Sequence, residues 1–117
     1  MFQDDNTSAK VNAIRWLFEK MRDRKSWMNK ASDPVLELLS EEFALNARSI
    51  WYTLQYRVPD ESSAPGRSTV YRALENLEEH GFVRPLEQNN SYYVITERGE
   101  AYLRGERIES LDEPSES

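Results

Sequence analysis

Residues 67–96 read RSTVYRALENLEEHGFVRPLEQNNSYYVIT, and this stretch decides the fold. Val70, Leu74 and Leu77 recur at helical spacing and share one face of a short amphipathic helix. His80-Gly81 ends it, since Gly81 is free to take the left-handed closing conformation. Two β-rich runs follow, Val83 to Leu86 and Tyr92 to Ile95, joined by Gln88-Asn89-Asn90-Ser91, and Pro85 marks an exposed edge. A helix followed directly by a hairpin is an order in which the helix can enter a DNA groove while the hairpin flanks it.

Toward the N-terminus, PDESSAPG (59–66) holds two prolines, a glycine and two serines, the composition of a loop. It separates the helix that Ser68 is placed to cap from an earlier one, capped by Asn46, that runs from Ala47 to about Arg57 with Ile50, Trp51 and Leu54 facing inward. Phe43-Ala44-Leu45 is a short extended bridge. Before it, Ser32-Asp33-Pro34 opens a helix with Glu37 positioned to complete a cap and Val35, Leu36, Leu38 and Leu39 as its buried face. Beyond the hairpin, Thr96-Glu97-Arg98-Gly99 starts a last helix that ends near Arg104-Gly105.

The two ends are different in kind. Residues 1–8 form a flexible start, and residues 106–117 an acidic tail expected to be disordered. From Ala9 to Lys25 an amphipathic helix is expected, with Val11, Ile14, Leu17, Phe18 and Met21 along a heptad-like seam. The seam either covers the domain's own core or, as favoured here, dimerises the protein. The fold class is therefore α+β, mostly α: a winged helix-turn-helix over 26–105 with an additional N-terminal amphipathic helix.

Composition limits the function classes. Of 117 residues, 38% are hydrophobic and 11% aromatic, enough for one modest core. No long apolar run or charged-then-apolar leader is present, so a cytoplasmic protein without a membrane partner is expected. The absence of cysteine removes disulfides and thiol nucleophiles. The formal charge of −6 weighs against a nucleic-acid partner, but residues 106–117 carry five acidic and one basic side chain and so supply −4 of it. Arg outnumbers Lys eleven to four, and the spread of acidic residues looks like that of salt-accumulating haloarchaeal proteins.

With Val70, Leu74 and Leu77 inward, the outer face of the helix presents Thr69, Tyr71, Arg72, Glu75 and Asn76, with Arg67 and Ser68 at its start. Arg pairs with guanine or phosphate, Asn with adenine, and Thr or Tyr can touch a thymine methyl. Arg48, Ser49 and Tyr52, near the start of the preceding helix, are candidates for phosphate, and Asn89 and Asn90 for contacts from the hairpin tip. Arg57 and Arg84 are weaker candidates. Each of these arginines has a plainer reading as a cation paired with a surface carboxylate. His80, the single histidine, has a structural place at a helix end, and no catalytic, cofactor or metal constellation is present in the sequence.

Two segments carry a resemblance. SWMNKASDPVLELLSE (26–41) and EEHGFVRPLEQNNSYYVITERGEAYLRGE (78–106), with Thr96, Gly99, Tyr102 and Leu103 in the closing helix, resemble the winged-helix proteins related to the repressor of the haloarchaeal phage phi-H. STVYRALENLEEHG between them is generic for regulators of the PadR and MarR kinds. The resemblance covers residues 26–106 and implies a DNA-binding transcriptional regulator, a repressor acting on double-stranded DNA; the homodimer is expected from the N-terminal seam alone. The alternative is a winged helix used as a protein–protein interaction module without DNA. A small-molecule effector, as in PadR-like or MarR-like regulators, has no support in the sequence.

Overall fold

The computed structural model describes residues 17, 20–57 and 64–107. Val11, Ile14 and Phe18 of the expected dimer seam, most of the 59–66 loop and the tail beyond residue 107 lie outside the described residues. The elements run α1 (Ser32–Glu41), β1 (Leu45–Asn46), α2 (Ala47–Arg57), α3 (Arg67–Glu79), β2 (Val83–Pro85), β3 (Tyr92–Ile95) and α4 (Glu97–Leu103). This is the α+β, mostly helical architecture expected, winged-helix-like in its order.

The periodic stripes meet in one core. Val35, Leu36, Leu38 and Leu39 of α1, Ile50 and Leu54 of α2, and Val70, Ala73, Leu74 and Leu77 of α3 are buried together with Phe82, Val83 and Tyr102. The antiparallel sheet is ordered β1-β3-β2, with Leu45 opposite Tyr93 and Arg84 opposite Val94. Pro85 therefore lies on an edge strand, where its missing N–H breaks no ladder.

Local chemistry fixes the element ends. The Asn46 side chain accepts the Ser49 N–H at 2.8 Å and caps α2. Gly81, at φ +81°, closes α3. The Thr96 hydroxyl accepts the Gly99 N–H at 3.2 Å and donates to the Gly81 carbonyl at 2.7 Å, tying α4 to the turn after α3. Gly99 is needed there, because a Cβ would collide with the Phe82 carbonyl and come within 2.7 Å of Ile95 Cγ1.

Several boundaries differ from expectation. α3 begins at Arg67 rather than after a Ser68 cap, because extended Gly66 already offers its carbonyl to Val70 N–H at 3.1 Å. α1 has Ala31 at its cap position, and the Ser32 hydroxyl instead accepts the Asn29 N–H at 2.9 Å. The strand before α2 is Leu45–Asn46 rather than 43–45, β2 stops at Pro85, and α4 stops at Leu103.

The N-terminal helix ends earlier than residue 25. Leu17, Lys20 and Met21 are helical, and from Arg22 the chain is irregular. Arg22 turns inward, its side chain only 5% exposed, and donates to Glu37 at 2.8 Å, Asp33 at 3.2 Å and the Leu103 carbonyl at 3.0 Å. Burial alone would lower its pKa, but hydrogen bonding and attraction to Glu37 and Asp33 more than reverse that. Asp33 also accepts the Tyr102 hydroxyl at 2.7 Å. A guanidinium with three acceptors outweighs continuing the helix, and Glu37 is used here rather than in a cap. Met28, beyond the end of this helix, packs on the core.

Candidate nucleic-acid interface

α3 has three distinct faces. Val70, Ala73, Leu74 and Leu77 are buried against the core. A second face is covered by the segment between the N-terminal helix and α1. Asn29 Nδ2 donates to the Thr69 carbonyl at 3.0 Å, Asn76 Nδ2 reaches the Trp27 carbonyl at 3.5 Å, and the Trp27 ring stacks on His80 at 4.0 Å with 2° between planes. Thr69 and Asn76 are half-buried; Thr69 meets this seam through its carbonyl and Asn76 through its side-chain amide. Asn76, expected on the open face, turns its amide toward the Trp27 carbonyl instead. His80 is structural through its stacking on Trp27.

The third face is open and carries Arg67, Ser68, Tyr71, Arg72 and Glu75, with Tyr71 42% exposed. With Ala47 at the start of α2 and Tyr93 of β3, these residues line a surface concavity of about 800 Å³. Its floor is acidic at one end. The Tyr93 hydroxyl is pushed above its ordinary range by burial and by Glu78 and Glu75. The basic part of the face is confined to the first two turns of α3.

Charges are distributed unequally over the helix starts. α1 has Asp33 in its first turn and α4 has Glu97 and Glu100, the usual complement to the positive end of a helix. α2 and α3 have no acidic residue there and carry Arg48 and Arg67 instead. Pairing follows the same division. Arg22, Arg24, Lys25, Arg57 and Arg104 form ion pairs, whereas Arg48, Arg67, Arg72 and Arg84 have no carboxylate partner among the described residues. Arg57, a weaker candidate, pairs with Glu41 at 2.9 Å in an exposed ion pair. The starts of α2 and α3 thus carry Arg48 and Arg67 without an acidic side chain in the first turn, and Ala47 and Arg67 line the same concavity.

Around them, Arg48 and Tyr52 are exposed and Ser49 is half-buried, its N–H given to Asn46. In the hairpin, Asn89 Oδ1 accepts both the N–H and the hydroxyl of Ser91, at 3.1 and 2.7 Å, so this side chain shapes the turn, while Asn90 is exposed at the tip. One contact escaped sequence reasoning. The Arg67 guanidinium lies over the Trp51 ring, 5.2 Å from its centre, although Trp51 reads as a purely inward residue. The two residues are 16 positions apart in the chain, and no local pattern announces the pair. Among the described residues no group of acidic or histidine side chains could hold a metal, and no helix is long and apolar enough to cross a membrane.

Fold and face together define a small winged-helix-like protein whose α2 and α3 begin without acidic side chains. Its architecture is similar to that in the crystal structure of the PhiH1 repressor-like protein from Haloarcula marismortui, with 34% sequence identity, a TM-score of 0.56, and coverage of 72% of this chain and 85% of that one. The chain belongs to the family of PhiH1 repressor-like proteins. No protein-family model matches the sequence, and no curated protein matches it.

Proposed function

We propose that this chain is a winged helix-turn-helix transcriptional regulator that binds double-stranded DNA sequence-specifically, a repressor acting as a homodimer by occupying its operator. The observation that carries the reading is the pair of acid-free helix starts in an acidic protein, with Arg48, Arg67 and Arg72 lacking carboxylate partners among the described residues. Arg72 lies on the open face of α3, in position to read a base edge, while Arg48 at the start of α2 suits a phosphate. The repressor-like character of the Haloarcula neighbour supports the same role. For the dimer, support comes from Leu17 and Met21, four residues apart on the N-terminal helix and 50% and 55% exposed.

The decisive test is fluorescence anisotropy with duplexes from the region upstream of the protein's own gene, at low and at molar salt. Saturable binding that outcompetes scrambled duplex is expected under both conditions. A second reading, a protein–protein interaction module, is favoured by one feature: the hairpin tip, Glu87 to Ser91, carries no cation. Failure to bind any duplex would leave that reading in place.

A further inference from the structure

We infer that Trp51 is a positioning residue for DNA recognition, holding Arg67 at the mouth of the concavity with its hydrogen-bonding edges turned outward. The inference rests on the DNA-binding reading above and names a part of that site which neither residue type nor spacing shows. Arg67 is the first residue of α3, a poor place for a cation, because the helix start is itself positive and no acidic side chain in the first turn offsets it. No carboxylate holds Arg67 among the described residues; its contact is the face of Trp51, 5.2 Å from the ring centre.

A cation–π contact of this kind offsets the guanidinium charge without a carboxylate, whereas an ion pair would consume its N–H groups. Trp51 is itself fixed, packed against the core from α2 and tilted against Tyr52 with ring centres 4.8 Å apart. A long flexible side chain is thus held on a rigid platform at the positive end of the reading helix. The acceptor that satisfies it is an oxygen or ring nitrogen of DNA, on a phosphate or on a guanine edge. A lysine cannot substitute, since a compact ammonium lacks the planar fork.

The test is a double-mutant cycle on the operator and on a scrambled duplex, with Trp51→Leu, Trp51→Phe, Arg67→Ala and each combination. Trp51→Leu should weaken operator binding about 10-fold and Trp51→Phe, which keeps a weaker aromatic face, about 2- to 4-fold. In the Arg67→Ala background both losses should shrink below about 2-fold, since no guanidinium remains to be positioned. Arg67→Lys should not restore wild-type affinity. Circular dichroism and thermal midpoints identify any variant that fails to fold, and Trp51→Phe, which preserves packing volume best, then carries the cycle.

Loss confined to the operator assigns the guanidinium to a base edge. Equal loss on both duplexes, with a salt slope reduced by about one, assigns it to phosphate. Either pattern supports the positioning role, provided that it disappears with Arg67→Ala. Undiminished loss in that background would overturn it and make Trp51 a packing residue alone. If the wild type binds no duplex at all, the DNA-binding reading falls first and takes this role with it.

Discussion

A negative charge placed at the start of α3 should stabilise the protein and disable it. Ser68 is exposed, follows Arg67 as the second residue of the helix, and lies in a first turn without acidic side chains. A glutamate there would meet the positive end of the helix, worth about 0.3–1 kcal/mol. It would also sit four residues before Arg72, an orientation that adds about 0.2–0.5 kcal/mol. Ser68→Glu should thus gain about 0.5–1.5 kcal/mol of folding stability, raising the thermal midpoint by roughly 2–9 °C. The same carboxylate would face DNA. Repulsion from one phosphate at about 5 Å costs about 0.8 kcal/mol in water, and occupation of Arg72 forfeits a contact worth about 1–3 kcal/mol. Together these predict a loss of about 2–4 kcal/mol, roughly 30- to 700-fold in Kd. Thermal denaturation and anisotropy on one preparation measure both effects, with Ser68→Gln as the neutral control. A stabilised variant that still binds like the wild type would show that DNA does not approach this end of α3. A destabilised one would show that the helix start is already satisfied.

Three further outcomes follow from the same geometry. Arg72→Ala should cost about 1–3 kcal/mol on the operator and relax preference at one base pair, whereas Arg48→Ala should weaken all duplexes alike and flatten the salt slope by about one unit; binding titrations over a salt series separate the two. Arg22→Met should lose about 2–3 kcal/mol in urea denaturation, less than a fully buried pair because Asp33 and Glu37 keep 19% and 23% of their side-chain surface; a loss under about 1 kcal/mol would mean that water replaces the guanidinium. Burial and the hydrogen bond to Asp33 push the Tyr102 hydroxyl above its ordinary value of 10.0, so the folded state keeps a proton that the unfolded chain releases; that stability is whole below pH 10 and is lost as pH rises beyond it, and Tyr102→Phe should show a shallower alkaline decline.

What could be read in the sequence is what local spacing encodes. The stripes 35/36/38/39, 50/54 and 70/74/77 are buried as their periods require, and the caps at Asn46 and Thr96 and the stop at Gly81 rest on an N–H three residues on or on backbone conformation. What could not be read depends on partners remote in sequence. Arg22 looks like one more polar residue on an amphipathic helix, yet it ends that helix by bonding the Leu103 carbonyl 81 positions away. Asn76 has the chemistry of an adenine reader, yet Trp27, 49 positions earlier, engages it. Asn89 is the intermediate case, since its commitment to Ser91 is local and an Asx turn was available as a reading. Ser68 reads as the cap of α3, yet the extended backbone at Gly66 starts the helix two residues earlier than that cap allows.

The acidity of the chain and a DNA partner are compatible because binding depends on charge within a few ångströms, not on the total. At molar salt the screening length is about 3 Å, so the carboxylates of the tail and of the far surfaces contribute little at the groove. What remains is the local constellation. There the separation of paired from unpaired cations matters: Arg22, Arg24, Arg57 and Arg104 are neutralised by carboxylates, while Arg48, Arg67 and Arg72 stand at or near helix starts free of acid. A protein built this way releases few counterions on binding, and its affinity should fall less steeply with salt than that of a basic winged helix. At low salt the screening is lifted, and repulsion by the five acidic residues of positions 106–117 should return. Removing those residues should therefore strengthen binding at low ionic strength and leave it unchanged at molar salt, a crossover that a uniformly basic interface would not produce.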